Sequence, residues 1–467
     1  MSRGIGARFM ALGGGEAAAR LLSFAGTVYM ARTLSPSLYG IIGVAMGIML
    51  YLVQLADAGI ELVGVPAIAR AQNAEAAASI AAPVLAVRFL IALALTLVVI
   101  ALGLTLIPQP DGAVIATSAL ALLAAGLSTR WIHIGLERAG SVAVARTIGE
   151  VIALGLIVVL VHNAGDVGQV PLAQFVGAAA TSLVMLVALA RGGVNLPWVW
   201  APTAAAPIFA RARHLVGFTL LGLLLFNFDL IFLRIRTGAE AAGYYAAAYT
   251  LISFAANLIV AFAHTVLPTL SRLHNDRGAR NSLFQTATAH AFALALPVGV
   301  GAWYVSRQII EQIFGPAYTP GVLALQWLSW TIPLAALREL PVVALIASGE
   351  EKSLLRVNAI TAICNVSLVL AAVPRFGLVG AAGATVATEF IRLALAVHAG
   401  RRAGYPLPRL SRLIKPTVAT AAMAAILIVA APTALWISIP MGGVAYAVAL
   451  LAMRGVQWRG RIPSLSV

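Results

Sequence analysis

The chain has 467 residues, of which 61% are hydrophobic and only 10% charged, and its mean hydropathy is +0.96. A soluble domain carries about 25% charged residues, so much of this chain must be solvated by lipid. The net charge of +15 would suit a nucleic-acid binder, but its distribution along the chain points elsewhere.

In chain order, apolar stretches of about 20 residues, the length of a bilayer crossing, fall near 9–31, 39–63, 83–107, 112–135, 142–161, 170–190 and 215–233. A second set falls near 244–267, 287–305, 322–347, 355–373, 378–398, 413–431 and 435–453. The fold class is an all-α polytopic membrane protein of about fourteen spans; a transmembrane β-barrel would show shorter, alternating segments. Span 1 holds Glu16 and Arg20 and lacks a small-residue cleavage site, so it reads as a span and not as a signal peptide. The single cysteine, Cys364, allows no intrachain disulfide.

Basic residues gather at the termini and after even-numbered spans, where Arg3, Arg70, Arg88, Arg130, Arg138, Arg191, Arg272, Arg356 and Arg401 are counted. The opposite side holds Arg32, Arg234, Arg236, Arg307 and Arg375. This is the positive-inside bias. It places both termini in the cytoplasm, suits a bacterial inner membrane, and argues against nucleic acid as a partner.

The sequence repeats once. Span 1 leaves through Arg32-Thr33 to Gly40, and span 7 through Arg236-Thr237 to Gly243. Spans 2 and 8 each end in Pro-x-x-x-Arg, at Pro66–Arg70 and Pro268–Arg272. Val176-Gly177-Ala178-Ala179-Ala180-Thr181 is echoed by Val379-Gly380-Ala381-Ala382-Gly383-Ala384-Thr385. An even offset of six spans relates parallel lobes, an architecture in which transporters bind substrate between the halves and alternate access. The expected domains are an N-terminal lobe (1–194), an interfacial linker (195–212) with Trp198 and Trp200, a C-terminal lobe (213–412), and an accessory pair of spans with a cytoplasmic tail (413–467).

Charge inside a span costs about 2.5–3.5 kcal/mol at the helix centre, so such residues should face partners or a wet cavity. Glu16 and Arg20 stand at i,i+4, where they can pair or serve a substrate. Gln54, Asp57 and Glu61 share one face of span 2; they could bind a coupling cation, Na+ or H+, or simply line a wet cavity. Asn227 and Asp229 lie on span 7. Asn257 and His264 on span 8 stand as far after Gly243 as Gln54 and Glu61 stand after Gly40, so the two spans should present matching polar groups to a central cavity. Glu389 and Arg392 can pair at i,i+3. Arg338 has only Glu339 beside it, and adjacent residues diverge on a helix, so Arg338 is the expected free cation. Hinges are expected at Gly13, Gly14 and Gly15 in span 1 and at Pro333 and Pro341 in span 10. No cofactor is expected. The seven histidines show no metal-ligand spacing, and phosphate-loop and nucleophile motifs are absent. The outer connections are short, and the largest (306–321) holds Glu311 alone. Active transport would therefore be secondary.

Several segments bring a family into view. Ala31-Arg32-Thr33-Leu34-Ser35-Pro36-Ser37-Leu38-Tyr39-Gly40 and Asp57-Ala58-Gly59-Ile60 resemble spans 1–2 of polysaccharide-biosynthesis (Wzx-type) flippases. Ala242-Gly243-Tyr244-Tyr245-Ala246-Ala247-Ala248-Tyr249, Phe314-Gly315-Pro316-Ala317-Tyr318 and Pro374-Arg375-Phe376-Gly377-Leu378-Val379-Gly380-Ala381-Ala382 are similar to later segments of the same proteins. The resemblance covers nearly the whole chain and implies the multidrug/oligosaccharidyl-lipid/polysaccharide (MOP) exporter superfamily. It implies movement of undecaprenyl-pyrophosphate-linked oligosaccharide from the inner to the outer leaflet. It also implies attraction of the pyrophosphate to Arg20 and Arg338, and work beside a polysaccharide polymerase and glycosyltransferases. Two other functions stay open: a cation-coupled drug or small-molecule exporter of the same fold, and a non-transporting scaffold of envelope assembly.

Overall fold

In the computed structural model, residues 18–57, 59–61, 63–211, 227–273, 275–407, 409–431 and 434–453 are described with their side chains. Residues 2–17, 62, 212–226, 456–459 and 462–465 are described by their helix or strand course alone. The chain forms two compact units, Met1–Asn227 and Phe228–Val467.

Unit 1 contains α1 (Ser2–Thr33), α2 (Pro36–Asp57), α3 (Ile60–Ala69), α4 (Ala74–Leu106), α5 (Asp111–Ser118), α6 (Ala121–Gly126), α7 (Arg130–Gly135), α8 (Ala139–Leu160) and α9 (Gln169–Arg191). Helix α10 (Pro202–Thr237) begins in unit 1 and ends in unit 2. Unit 2 continues with α11 (Ala239–Arg272), α12 (Arg277–Tyr304), α13 (Ser306–Ile313), α14 (Val322–Ser329), α15 (Thr331–Ala347), α16 (Glu351–Arg402), α17 (Leu410–Ala430) and α18 (Leu435–Ala452). The tail adds two four-residue antiparallel strands, β1 (Val456–Arg459) and β2 (Ile462–Leu465). Among the described residues, 11 helical segments are long and apolar enough to cross a membrane. Helices satisfy their own backbone polar groups, which is why a chain this apolar folds as helices in lipid.

Local chemistry sets the ends and breaks. Asn73 caps α4 by accepting the Ala76 N–H at 2.8 Å, and Asp276 caps α12 by accepting the Ala279 N–H at 3.0 Å. The 52-residue α16 is broken at Gly377, whose φ of 52° and ψ of −126° are not helical. Its arms, 351–376 and 378–402, are each longer than the roughly 20 residues of a crossing, and they answer to the stretches expected near 355–373 and 378–398. The stretch near 112–135 is three short helices, α5, α6 and α7.

Span 2 holds a break that periodicity did not predict. Helix α2 ends at Asp57 and α3 begins at Ile60, with Gly59 left-handed at φ 73°. Replacing Gly59 with alanine puts a Cβ into that region and should cost about 1–2 kcal/mol, read as a lower unfolding midpoint in detergent. The same change at Gly301, which meets nothing within 4 Å and has no positive φ, should be far milder.

The expected break between Pro333 and Pro341 is not where the chain breaks. The interruption lies at Trp330, between α14 and α15. Pro333 follows in the first turn of α15, where a missing N–H has no intrahelical partner to lose, and α15 runs unbroken through Pro341. Gly13, Gly14, Gly15 and Glu16 lie outside the residues whose side chains are described.

Packing in unit 1 centres on Ile60, Ile68, Ala77, Ala81, Val84, Trp131, Ile132 and Leu189, drawn from α3, α4, α7 and α9. Gly64 lets α3 sit against the Trp131 ring; a Cβ there would meet the ring at 2.6 Å. In unit 2, Tyr304 donates to the Leu427 carbonyl at 2.5 Å and Tyr446 to the Ala293 carbonyl at 2.6 Å, tying α17 and α18 to α12. The outer faces of α17 and α18 expose Val429, Trp436 and Val444, a surface suited to lipid.

Candidate functional site

The break in α2–α3 creates the first polar site. Asp57 ends α2 and accepts the Glu61 backbone N–H at 3.4 Å. Because the helix stops there, the Asp57 carboxylate also reaches α4: Arg88 Nη2 lies 3.0 Å from Asp57 Oδ1. Arg88 Nη1 donates to the Ser128 carbonyl at 3.0 Å, bracing α4 against the segment before α7. Glu61, one turn on, pairs with Arg130 at the start of α7. The Asp57–Arg88 pair is nearly buried, whereas Glu61 and Arg130 are exposed. With Gln54, Ser128 and Trp131 these four charges line a cleft of about 520 Å³. An isolated charge in such surroundings would be expensive; a paired and hydrogen-bonded one is tolerated.

Unit 2 holds a second polar system. Arg338 on α15 is 5% exposed. Its Nε lies 2.8 Å from Glu389 Oε2 on α16, and its Nη1 lies 2.6 Å from Glu339 Oε1. Arg338 is therefore not the free cation the sequence suggested. The divergence of neighbours on a helix applies to Cβ directions, and the long side chains of Arg338 and Glu339 curl back to meet within it. The i,i+3 pairing of Glu389 with Arg392 is present but longer, at 3.6 Å, and Arg392 also reaches Asn358 Oδ1 at 3.4 Å. The group of Arg338, Glu339, Glu389 and Arg392 has no net charge.

Asp229 forms a third site and is 1% exposed. The Tyr245 hydroxyl donates to Oδ2, as does Thr385 Oγ1 at 3.0 Å, and the Leu230 N–H donates to Oδ1 at 2.8 Å. The Tyr245 ring stacks on Tyr249 with centroids 5.8 Å apart. Donors from α10, α11 and α16 thus converge on one carboxyl group.

The other expected site residues are dispersed. Arg20 is exposed on α1. Asn227 is half-buried and packs near Gly47 of α2, whose Cβ would lie 3.6 Å from the amide oxygen. Asn257 is exposed and donates to the Ser253 carbonyl at 2.8 Å, and His264 is exposed on the same helix. The match drawn between spans 2 and 8 does not extend to backbone shape, because α11 runs unbroken over Ala239–Arg272 where span 2 is split at Gly59. Sequence reasoning missed four partners. Arg88 and Arg130 were counted as orientation charges, though each lies within an apolar stretch beside a carboxylate-bearing neighbour. Tyr245 stood inside a segment that resembles the family and Thr385 inside a repeated one, but neither was read as a donor.

Comparison with known proteins adds the following. A family model described as polysaccharide biosynthesis protein matches residues 5–274. A probable flippase, AglR of Haloferax volcanii, is 28% identical over 205 residues, and the match covers 43% of each chain. This chain therefore spans less than half the length of that relative. Among solved structures, lipid II flippase MurJ in an inward closed conformation superposes with a TM-score of 0.77 at 14% identity, covering 95% of this chain and 98% of that one. An inward-facing multidrug resistance MATE family transporter of the MOP superfamily gives 0.70 at 16% identity, covering 83% and 94%. At these identities the likeness is one of fold: this chain is a multi-pass membrane protein with the fold of MOP transporters.

Proposed function

We propose a function from one premise: the chain belongs to the polysaccharide biosynthesis protein family. It is a flippase that carries an undecaprenyl-pyrophosphate-linked oligosaccharide from the cytoplasmic to the outer leaflet of a bacterial inner membrane by alternating access, crossing the bilayer fourteen times with both termini inside. The reading draws on the chain's likeness to a probable flippase and a lipid II flippase. It rests physically on the ion pairs held inside apolar helices, Asp57–Arg88 and Arg338–Glu389. Charges held within apolar helices mark where a polar cargo or water passes.

Arg20, exposed on α1, is the cation proposed for the pyrophosphate. Arg338 is excluded from that role because two carboxylates already neutralise it. A drug exporter for cationic compounds would call for an excess of acidic residues, and the cleft and the Arg338 group are each balanced. The polymerase and glycosyltransferases of the same glycan are the expected neighbours.

The test is reconstitution with a fluorescent lipid-linked oligosaccharide. Protein-dependent movement of label to the far leaflet is expected, with a loss of about tenfold or more in Arg20→Ala, since a charge-assisted bond is worth about 1.5–3 kcal/mol. Proteoliposomes that move no more label than protein-free vesicles would rule the flippase out.

A further inference from the structure

We infer that the unit 1 cleft is a binding site for an uncharged saccharide; this rests on the flippase reading and names the part of the cargo that the cleft takes. The cleft measures about 520 Å³, within the roughly 300–1,000 Å³ of small-molecule sites. Charge selects the class of ligand. Asp57 is matched by Arg88 and Glu61 by Arg130, so the lining charges cancel. An anion such as a phosphate would have to compete with a carboxylate for its guanidinium. A metal cation would have to compete with a guanidinium for its carboxylate. A neutral ligand displaces neither.

The same lining suits hydroxyl groups. Each ion pair sets acceptor oxygens beside N–H donors, and a hydroxyl can donate to the first while accepting from the second. Gln54 adds an amide that does both. Two further donors stand in the wall. Arg88 Nε and Trp131 Nε1 are buried and have no hydrogen-bond partner among the described residues, although both residues line the cleft. A buried donor left unpaired costs about 1–3 kcal/mol, so a hydroxyl oxygen brought within reach of either would recover that cost. Trp131 is covered by α3, whose junction with α2 is broken at Gly59. Gly59 itself lines the cleft. In the orientation expected from the basic residues, these helix ends face the cytoplasm, the side on which a lipid-linked glycan is loaded.

The experiment measures binding to the full chain in lipid nanodiscs. The probes are soluble neutral oligosaccharides of hexoses, deoxyhexoses and N-acetylhexosamines, uronate-containing oligosaccharides of equal length, and inorganic pyrophosphate. Wild type should bind a neutral probe more tightly than its uronate counterpart. Gln54→Ala, which removes a half-buried amide, and Trp131→Phe, which removes only the indole N–H and part of the ring, should each weaken that binding by about tenfold. Gln54→Ala should keep the wild-type melting profile, and neither variant should change pyrophosphate binding. The assignment falls if no neutral saccharide binds wild type, if both variants bind it unchanged, or if pyrophosphate displaces it. Translocation without saccharide binding would overturn the cleft assignment alone. Saccharide binding without translocation would overturn the flippase reading alone.

Discussion

Arg338→Met should lower the unfolding free energy by about 3–5 kcal/mol, the cost of stranding buried partners of a removed charge. Glu339 and Glu389 both point at this guanidinium, at 2.6 and 2.8 Å, and neither has much access to water. Once it is gone, two carboxylates face a single remaining cation, Arg392, at 3.6 Å from Glu389. Arg338→Lys should fall between, because an ammonium is a compact point charge and cannot fork to both carboxylates as a guanidinium does. Adding Glu339→Gln to Arg338→Met should recover much of the loss, since Glu389 then keeps Arg392 as its partner and the group is neutral again. Thermal unfolding in a fixed detergent reads all four proteins. A single variant as stable as wild type would refute the geometry drawn for α15 and α16.

The next largest effect is expected at Asp229. Asp229→Ala removes the acceptor that the buried Tyr245 and Thr385 hydroxyls share, while the Leu230 N–H lies inside α10 and keeps its place in the helix ladder. With the two hydroxyls able to bond each other and Thr385 able to donate to the Ala381 carbonyl, both at 3.0 Å, the net loss should be about 1–3 kcal/mol, the cost of one buried polar group poorly matched. Tyr245→Phe removes one buried hydrogen-bond donor and should cost about 0.5–1.5 kcal/mol. Combining them should cost less than the sum, by about 0.5–3 kcal/mol, because the residues share one network. Strict additivity in the double variant would separate Tyr245 from Asp229 and sink the assignment.

The spans were legible because lipid forces a plain signal: long apolar runs, with arginines on one side. The boundary at Gly377 fell between the stretches expected near 355–373 and 378–398, whereas α4 begins at Ala74 behind the Asn73 cap, well before the start expected near 83. Breaks were harder to read. Proline drew attention to span 10, yet Pro333 and Pro341 sit where α15 tolerates them, whereas Gly59 breaks span 2 through one left-handed residue that composition cannot single out. The carboxylates of the sites were found because charge is rare in an apolar helix. Their partners were harder to identify, since Arg88 lies 31 positions from Asp57 in the chain, as the two names show, and which arginine reaches which carboxylate is set by how α2 and α4 pack. Arg338 shows the same limit within one helix, because backbone direction alone does not say where a long side chain ends.

The neutrality of these groups has an electrical consequence. A unit charge carried through the full membrane potential exchanges about 2.3 kcal/mol per 100 mV. The Asp57–Arg88 and Glu61–Arg130 pairs, and the four-residue group around Arg338, each sum to zero. If such a group moves as a body, the membrane field does almost no net work on it. These groups can therefore shift within the membrane without acting as voltage sensors.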